Sequence, residues 1–114
     1  MTSISVIIPT YNRAHTLSRA LDSVLAQTRP ADEIIVVDDG SSDNTGEVVK
    51  SYGDKVTYIH QQNAGPGATR NAGINAATSE WNAFLDSDDE WRREKIQRQA
   101  QLLDRNPELN WCYT

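Results

Sequence analysis

The chain has 114 residues, a formal net charge of −5 and a single cysteine, Cys112. That length suits one domain and allows about two-thirds of the unfolded surface to be buried, enough for a real core. The acidic balance excludes general nucleic-acid binding, which is driven by phosphate neutralisation. One cysteine excludes an internal disulfide and a cysteine-based zinc site, so Cys112 is expected as a buried free thiol in a reducing compartment.

Ile4 to Ile8 is a β-branched run stopped by Pro9, which reads as a buried strand. The apolar run here is too short for a signal peptide and has no basic residues ahead of it, and no stretch in the chain approaches a membrane span. A polar loop without glycine follows, Thr10-Tyr11-Asn12-Arg13. Leu17, Ala20, Leu21, Val24 and Leu25 then share one helical face, giving an amphipathic helix over 14–27 that is ended by Thr28-Arg29-Pro30. Glu33 to Val37 is a second buried strand and runs into Asp38-Asp39-Gly40-Ser41-Ser42-Asp43. Asn44 with Glu47 has the spacing of a capping box, and Gly53 is the expected stop of the short helix that follows. Val56 to His60 is a third strand. Gly65-Pro66-Gly67 opens a helix whose face carries Ala68, Ala72, Gly73, Ala76 and Ala77, small enough to lie close on a sheet. Trp81 to Leu85 is a fourth strand. Ile96, Ala100 and Leu103 mark a last helix, stopped at Asn106-Pro107, and 109–113 reads as a fifth strand beginning.

Alternating strands and helices give an α/β fold: a Rossmann-like, doubly wound, mostly parallel sheet with helices on both faces. Right-handed crossovers favour the strand order 3-2-1-4, with the winding reversing between strands 1 and 4. Ligands of such sheets bind at the carboxyl ends of the strands beside the reversal. The loops there start at Pro9, Asp38 and Asp86, so the polar loop and both acidic clusters are expected to line one crevice.

The most charged of these loops is Asp86-Ser87-Asp88-Asp89-Glu90, followed by Trp91. Two carboxylates ~4 Å apart repel by about 4 kcal/mol at an effective dielectric of ~20. The cluster must therefore be solvated, protonated, neutralised by Arg92, Arg93 and Lys95, or hold a cation. A dinucleotide fold would need Gly-x-Gly-x-x-Gly after the first strand, where Pro9 to Arg13 stands instead, and there is no P-loop. An aspartyl-nucleophile phosphatase would want Asp-x-Asp there. A receiver-like signalling domain would want its aspartate after the third strand, which ends in His60-Gln61-Gln62. What remains is a metal-bridged nucleotide. An aspartate after strand 2 can hold a base or ribose, Tyr11 can stack on a base, and Asp86 with Asp88 can offer oxygens to Mg²⁺ or Mn²⁺. A nucleotide-binding module without catalysis uses the same features, and a receiver-like signalling domain is the weaker alternative. Trp81, Trp91 and Trp111 are expected to pack, and His15 and His60 to lie at the surface.

Four blocks sharpen this. They are Ser5-Val6-Ile7-Ile8-Pro9-Thr10-Tyr11-Asn12-Arg13, Ile35-Val36-Val37-Asp38-Asp39-Gly40-Ser41-Ser42-Asp43, Asn63 to Gly73 around Gly65-Pro66-Gly67-Ala68-Thr69-Arg70-Asn71, and Phe84-Leu85-Asp86-Ser87-Asp88-Asp89-Glu90-Trp91. In this order they resemble the nucleotide-binding part of family 2 glycosyltransferases with the GT-A fold, across essentially the whole of 1–114. The resemblance implies a metal-dependent, inverting transfer of sugar from a nucleotide-diphosphate sugar, a UDP-sugar by preference, to a saccharide or lipid-linked acceptor in surface polysaccharide or glycolipid synthesis. The resemblance also implies a cytoplasmic location, with a parent enzyme peripheral at the membrane's inner face. It implies that Pro9, Thr10 and Tyr11 line the base pocket, with Arg13 completing that nucleotide-binding set. Asp39 holds the base or ribose, Arg70 approaches the nucleotide, Asp86 sits near ribose or metal, and Asp88 is the direct metal ligand. Asp38 and Asp89 are expected to support loops, and Glu90 to be a helix-start charge. The general base is expected beyond Thr114, making this stretch the truncated donor-binding part of a longer enzyme and inactive alone. Where members often carry proline after the acidic motif, Arg93 stands here, which alters a helix start and not the chemistry.

Overall fold

The computed structural model describes residues 2–105. Its elements are β1 (Ile4–Thr10), α1 (Ala14–Leu25), β2 (Glu33–Asp38), α2 (Thr45–Lys50), a 3₁₀ turn (Gly53–Lys55), β3 (Thr57–His60), α3 (Pro66–Ala76), β4 (Trp81–Phe84) and α4 (Lys95–Arg105). The four strands form one parallel sheet in the order β3-β2-β1-β4. This is the expected Rossmann-like α/β architecture. The expected fifth strand at 109–113, with Trp111 and Cys112, lies outside the described residues.

The period-2 geometry of a strand divides its side chains between two faces. Val6 pairs with Ile34 and Ile8 with Val36, and with Ile4 they form the face covered by α1, α2 and α4 through Leu17, Leu21, Val24, Val49, Ile96 and Ala100. Ile7 pairs with Ile35 and Pro9 with Val37; Ile7, Ile35 and Val37 form the opposite core, against Ile59, Ala72 and Ala77. The two faces are unequally dressed. Phe84, the register partner of Ile7, is 41% exposed. The small face of α3 has the expected consequence. A Cβ on Gly73 would stand 2.5 Å from Ile7 Cγ2, so the helix lies directly against the central strand.

Several local expectations need correction. α1 stops at Leu25 rather than residue 27, because Gln27 turns its side chain to tertiary partners described below. The Asn44 side chain makes no cap bond. Asp43 Oδ1 accepts the Thr45 amide at 3.1 Å, and the Thr45 hydroxyl as well, so the capping carboxylate is one residue earlier. Gly53 does take a left-handed conformation, φ +63°, but three residues past Lys50 and at the start of the 3₁₀ turn. The acidic cluster is not the first turn of a helix. α4 begins only at Lys95, and Glu90, expected as its start charge, instead lies 3.9 Å from exposed Arg19. Trp81 and Trp91 pack against the larger core, and His15 and His60 are exposed, as expected.

The α3 contact can be tested directly. Ile7 is fully buried and its branched methyl has no room to retreat. Gly73→Ala is expected to destabilise the fold by about 1–3 kcal/mol in urea unfolding. A change below roughly 0.5 kcal/mol would mean that α3 can lift from β1 without cost.

Candidate functional site

At the carboxyl ends of β1, β2 and β4, beside the reversal of winding, lies a cavity of about 190 Å³. Pro9, Thr10, Tyr11, Asp39, Pro66, Thr69, Arg70 and Asp86 line it. Six of the residues singled out from the sequence thus meet around one space: Pro9, Thr10, Tyr11, Asp39, Arg70 and Asp86. Arg13 and Asp88 are not among the lining residues. Arg13 is exposed and occupies the N-cap position of α1, where its carbonyl accepts the Thr16 and Leu17 amides. Asp88 is two residues beyond Asp86 in the same exposed turn.

The wall on the β1 side is set by backbone geometry. Asn12 adopts a left-handed conformation at φ +52°, which asparagine tolerates better than most residues. Its Oδ1 accepts the Ser42 amide at 2.8 Å, and its own amide donates to Ser41 Oγ. The loop after β1 is so fastened to the loop after β2, and Tyr11 is left 51% exposed beside the cavity. Thr10 is almost fully buried, yet its Oγ1 has no hydrogen-bond partner among the described residues. A buried hydroxyl without a partner costs about 1–3 kcal/mol, a cost a bound group can remove.

Two adjacent buried carboxylates organise the β2 end. Asp38 Oδ1 accepts the Ser41 amide at 2.9 Å, the loop-supporting role expected for it, and Oδ2 accepts the Tyr58 hydroxyl at 2.5 Å. Burial, then this carboxylate, push the Tyr58 phenol well above its ordinary value, so it stays a donor. Asp39 Oδ1 accepts from Ala64 N at 2.8 Å and Gln61 Nε2 at 2.9 Å, and Oδ2 from Gly65 N at 3.0 Å. Of the roughly four acceptor directions of a carboxylate, three are thus taken by the 61–65 loop. Gly65, at φ +98°, is the N-cap position of α3, and its carbonyl accepts the Thr69 hydroxyl at 2.7 Å. Asp39 therefore fixes the start of the helix that carries Thr69 and Arg70. That role, and the presence of Pro66 and Thr69 in the wall, were not foreseen from sequence; the only available signal was their place inside the Gly65-to-Arg70 block.

The acidic stretch is a tight turn, closed by the Asp89 amide donating to the Asp86 carbonyl at 3.0 Å. Asp89 Oδ1 accepts the Glu90 amide, the supporting role expected of it. The side chains of Asp86 and Asp88 are exposed and take no hydrogen bond or ion pair among the described residues. No group of three or more potential ligands is assembled there. The protein thus offers two free carboxylates, the donor set that suits Mg²⁺ or Mn²⁺ shared with substrate phosphates and water, and not a site closed by protein ligands alone. No helix among the described residues is long and apolar enough to cross a membrane.

Burial raises the Asp39 pKa, but the bonds from Gln61, Ala64 and Gly65 outweigh it, and the net shift is downward. A carboxylate with a depressed folded-state pKa contributes stability above its unfolded value of about 3.9 and loses it as pH falls through the folded value. Urea midpoints measured from pH ~5 down to ~2 are therefore expected to fall less steeply for Asp39→Asn than for the native chain. Equal slopes would show that Asp39 does not carry this part of the acid sensitivity.

The sequence profile described as "Glycosyl transferase family 2" matches residues 5–114. A protein of Nostoc sp. named as an uncharacterized glycosyltransferase is 52% identical over 104 residues, covering 88% of this chain and 32% of its own length. Among solved structures, S. aureus TarS 1-349 superposes with a TM-score of 0.86 at 34% identity, covering 93% of this chain and 33% of that one. TarS is also solved with UDP and with UDP-GlcNAc. The mannosyltransferase PcManGT of Pyrobaculum calidifontis, in complex with GDP-Man and Mn²⁺, matches with a TM-score of 0.81 at 28% identity, over 88% of this chain and 32% of that one. The present chain spans about a third of the length of each of these three proteins. With its parallel GT-A-like sheet and the site at its carboxyl edge, the chain belongs to glycosyltransferase family 2.

Proposed function

We propose that this chain is the donor-binding part of an inverting, metal-dependent glycosyltransferase that takes a sugar from a nucleotide-diphosphate sugar, a UDP-sugar by preference. The acceptor is a saccharide or lipid-linked molecule of surface polysaccharide or glycolipid synthesis. The observation that carries the reading is the convergence of Pro9, Thr10, Tyr11, Asp39, Arg70 and Asp86 on one cavity at the switch point of the sheet. Support comes also from the nucleotide-sugars bound by TarS and PcManGT.

In this reading the exposed Tyr11 ring stacks on the base, and the unpartnered Thr10 hydroxyl supplies a hydrogen bond to the bound nucleotide. Asp39, in the wall of the cavity, holds the base or ribose. Arg70, whose guanidinium has no protein partner among the described residues, balances phosphate charge. Arg13 stands beyond the cavity wall and approaches the far end of the donor. Asp86 and Asp88 hold Mg²⁺ or Mn²⁺, which when bound neutralises the departing diphosphate. In this reading a general base deprotonates the acceptor hydroxyl as it attacks the donor sugar.

Calorimetry with UDP, with and without Mn²⁺, tests the reading. UDP is expected to bind more tightly with the metal, and Asp88→Ala to lower the metal-dependent affinity by at least about 10-fold, the least that loss of even an outer-shell partner costs. UDP binding that ignores both the metal and Asp88→Ala would instead favour a nucleotide-binding module without catalysis.

A further inference from the structure

Between β4 and α4 the chain runs from Leu85 to Glu94 without helix or strand. Its backbone polar groups still need partners. Many of them are met by side chains of α1 and the residues just after it, some 70 positions away in sequence. Thr16 Oγ1 donates to the Ser87 carbonyl at 2.9 Å. Arg19 donates to the Asp88 carbonyl at 3.0 Å. Ser23 Oγ accepts the Trp91 amide at 3.1 Å. Gln27 donates to the Arg92 carbonyl at 2.7 Å and accepts the Ile96 amide at 2.9 Å. At about 100° per residue, positions 16, 19 and 23 fall within a sector of roughly 60°, and Gln27 follows just past the end of the helix. They form a polar stripe beside the apolar one of Leu17, Ala20, Leu21 and Val24, and the acidic segment lies along it.

We propose that Thr16 and Arg19 are positioning residues for the acidic turn, holding Asp86 and Asp88 where they can share a divalent cation with the donor's diphosphate; this rests on the metal reading above. The Asp89-to-Asp86 hydrogen bond sets the shape of the turn but not its place relative to the cavity. The Leu85 amide, donating to the Ile7 carbonyl at 3.0 Å, anchors the entry to the turn, and beyond it the bonds that fix its place come to the Ser87 and Asp88 carbonyls. Ser87 itself is buried, so the turn is held between its two exposed carboxylates. The ion pair of Arg19 with Glu90 is long and exposed and contributes little by itself. The charge-assisted bond to the Asp88 carbonyl is the stronger contact. Ligand oxygens must be placed within a few tenths of an ångström for a small divalent ion, so a turn free to pivot binds it more weakly.

Arg19 makes the test sharp, because charge and position predict opposite signs. Removing a positive charge near a cation site should tighten the cation if charge were the only effect. Removing a strut should loosen it. The experiment is Mn²⁺ titration followed by electron paramagnetic resonance in the presence of UDP, on the 114-residue chain and on Thr16→Val, Thr16→Ser, Arg19→Gln and Asp88→Ala. Thr16→Val and Arg19→Gln are each expected to weaken Mn²⁺ about 3- to 10-fold, the effect of losing one such hydrogen bond. Thr16→Ser, which keeps the hydroxyl, should stay within about 2-fold of the native chain, and UDP affinity without metal should be unchanged in all three. Tighter or unchanged Mn²⁺ binding by Arg19→Gln overturns the inference, as does a Thr16→Ser loss equal to that of Thr16→Val. If Thr16→Val does not fold, the exposed Arg19 site decides alone. A native chain that fails to bind Mn²⁺, or binds it as well after Asp88→Ala, overturns the metal reading itself and this inference with it.

Discussion

The site depends on one unfavourable arrangement made favourable: two neighbouring carboxylates, Asp38 and Asp39, buried at the carboxyl end of β2. Adjacent residues at a strand end point in opposite directions, so the two charges serve different loops. Asp38 fastens the 41–43 turn and Tyr58 on β3. Asp39 gathers two successive amides before α3 and the Gln61 side chain. A buried carboxylate needs several donors to remain charged, and loop amides need acceptors when they leave the sheet. Each requirement meets the other, which orders loops that carry little apolar anchorage of their own.

The opposite wall is built differently. The acidic turn takes no support from the carboxylates of Asp86 and Asp88. Its carbonyls are held by α1, whose first residues follow directly from the β1 loop that Asn12 ties to Ser41 and Ser42. A single helix therefore links the loop at Tyr11 to the turn at Asp86 and Asp88. This leaves the side chains proposed to meet ligand comparatively free, while their backbones are fixed by partners remote in sequence. Such a division holds the main chain of the turn in place while its carboxylates stay open to a ligand.

Much of this was legible in the sequence where a repeat or a punctuation mark carries the information. The β-branched runs ending at Pro9 and Asp38, the apolar face of α1 and the small face of α3 each reflect a period set by backbone geometry, and the strand order follows from handedness. The cavity residues were legible for the same reason: they stand where strands end. What stayed hidden has no period. Asp43 and Asn44 are both good caps, and only the local dihedrals decide that Asp43 accepts the Thr45 amide. The late start of α4 goes with several main-chain groups of 87–93 being satisfied by Thr16, Arg19, Ser23, Gln27 and Thr28 instead of by a helix of their own. In the sequence, Thr16, Arg19, Ser23 and Gln27 look like the solvated side of an amphipathic helix. Their partners are main-chain atoms, which every residue possesses and none advertises.

The same logic explains how an acidic chain can serve an anionic donor. Of the residues lining the cavity only Arg70 is cationic, against Asp39 and Asp86, with Asp88 close behind in the turn. Asp39 is held ionised by its amide donors, so it cannot relieve the repulsion by taking a proton near neutral pH. In the proposed reading a diphosphate approaching this wall would meet more negative charge than Arg70 can offset. In that reading a divalent cation at the exposed carboxylates would reverse the sign there and leave Asp39 untouched. On the proposed reading the buried aspartate can stay negative for the sake of the fold because the exposed pair would be neutralised for the sake of the ligand.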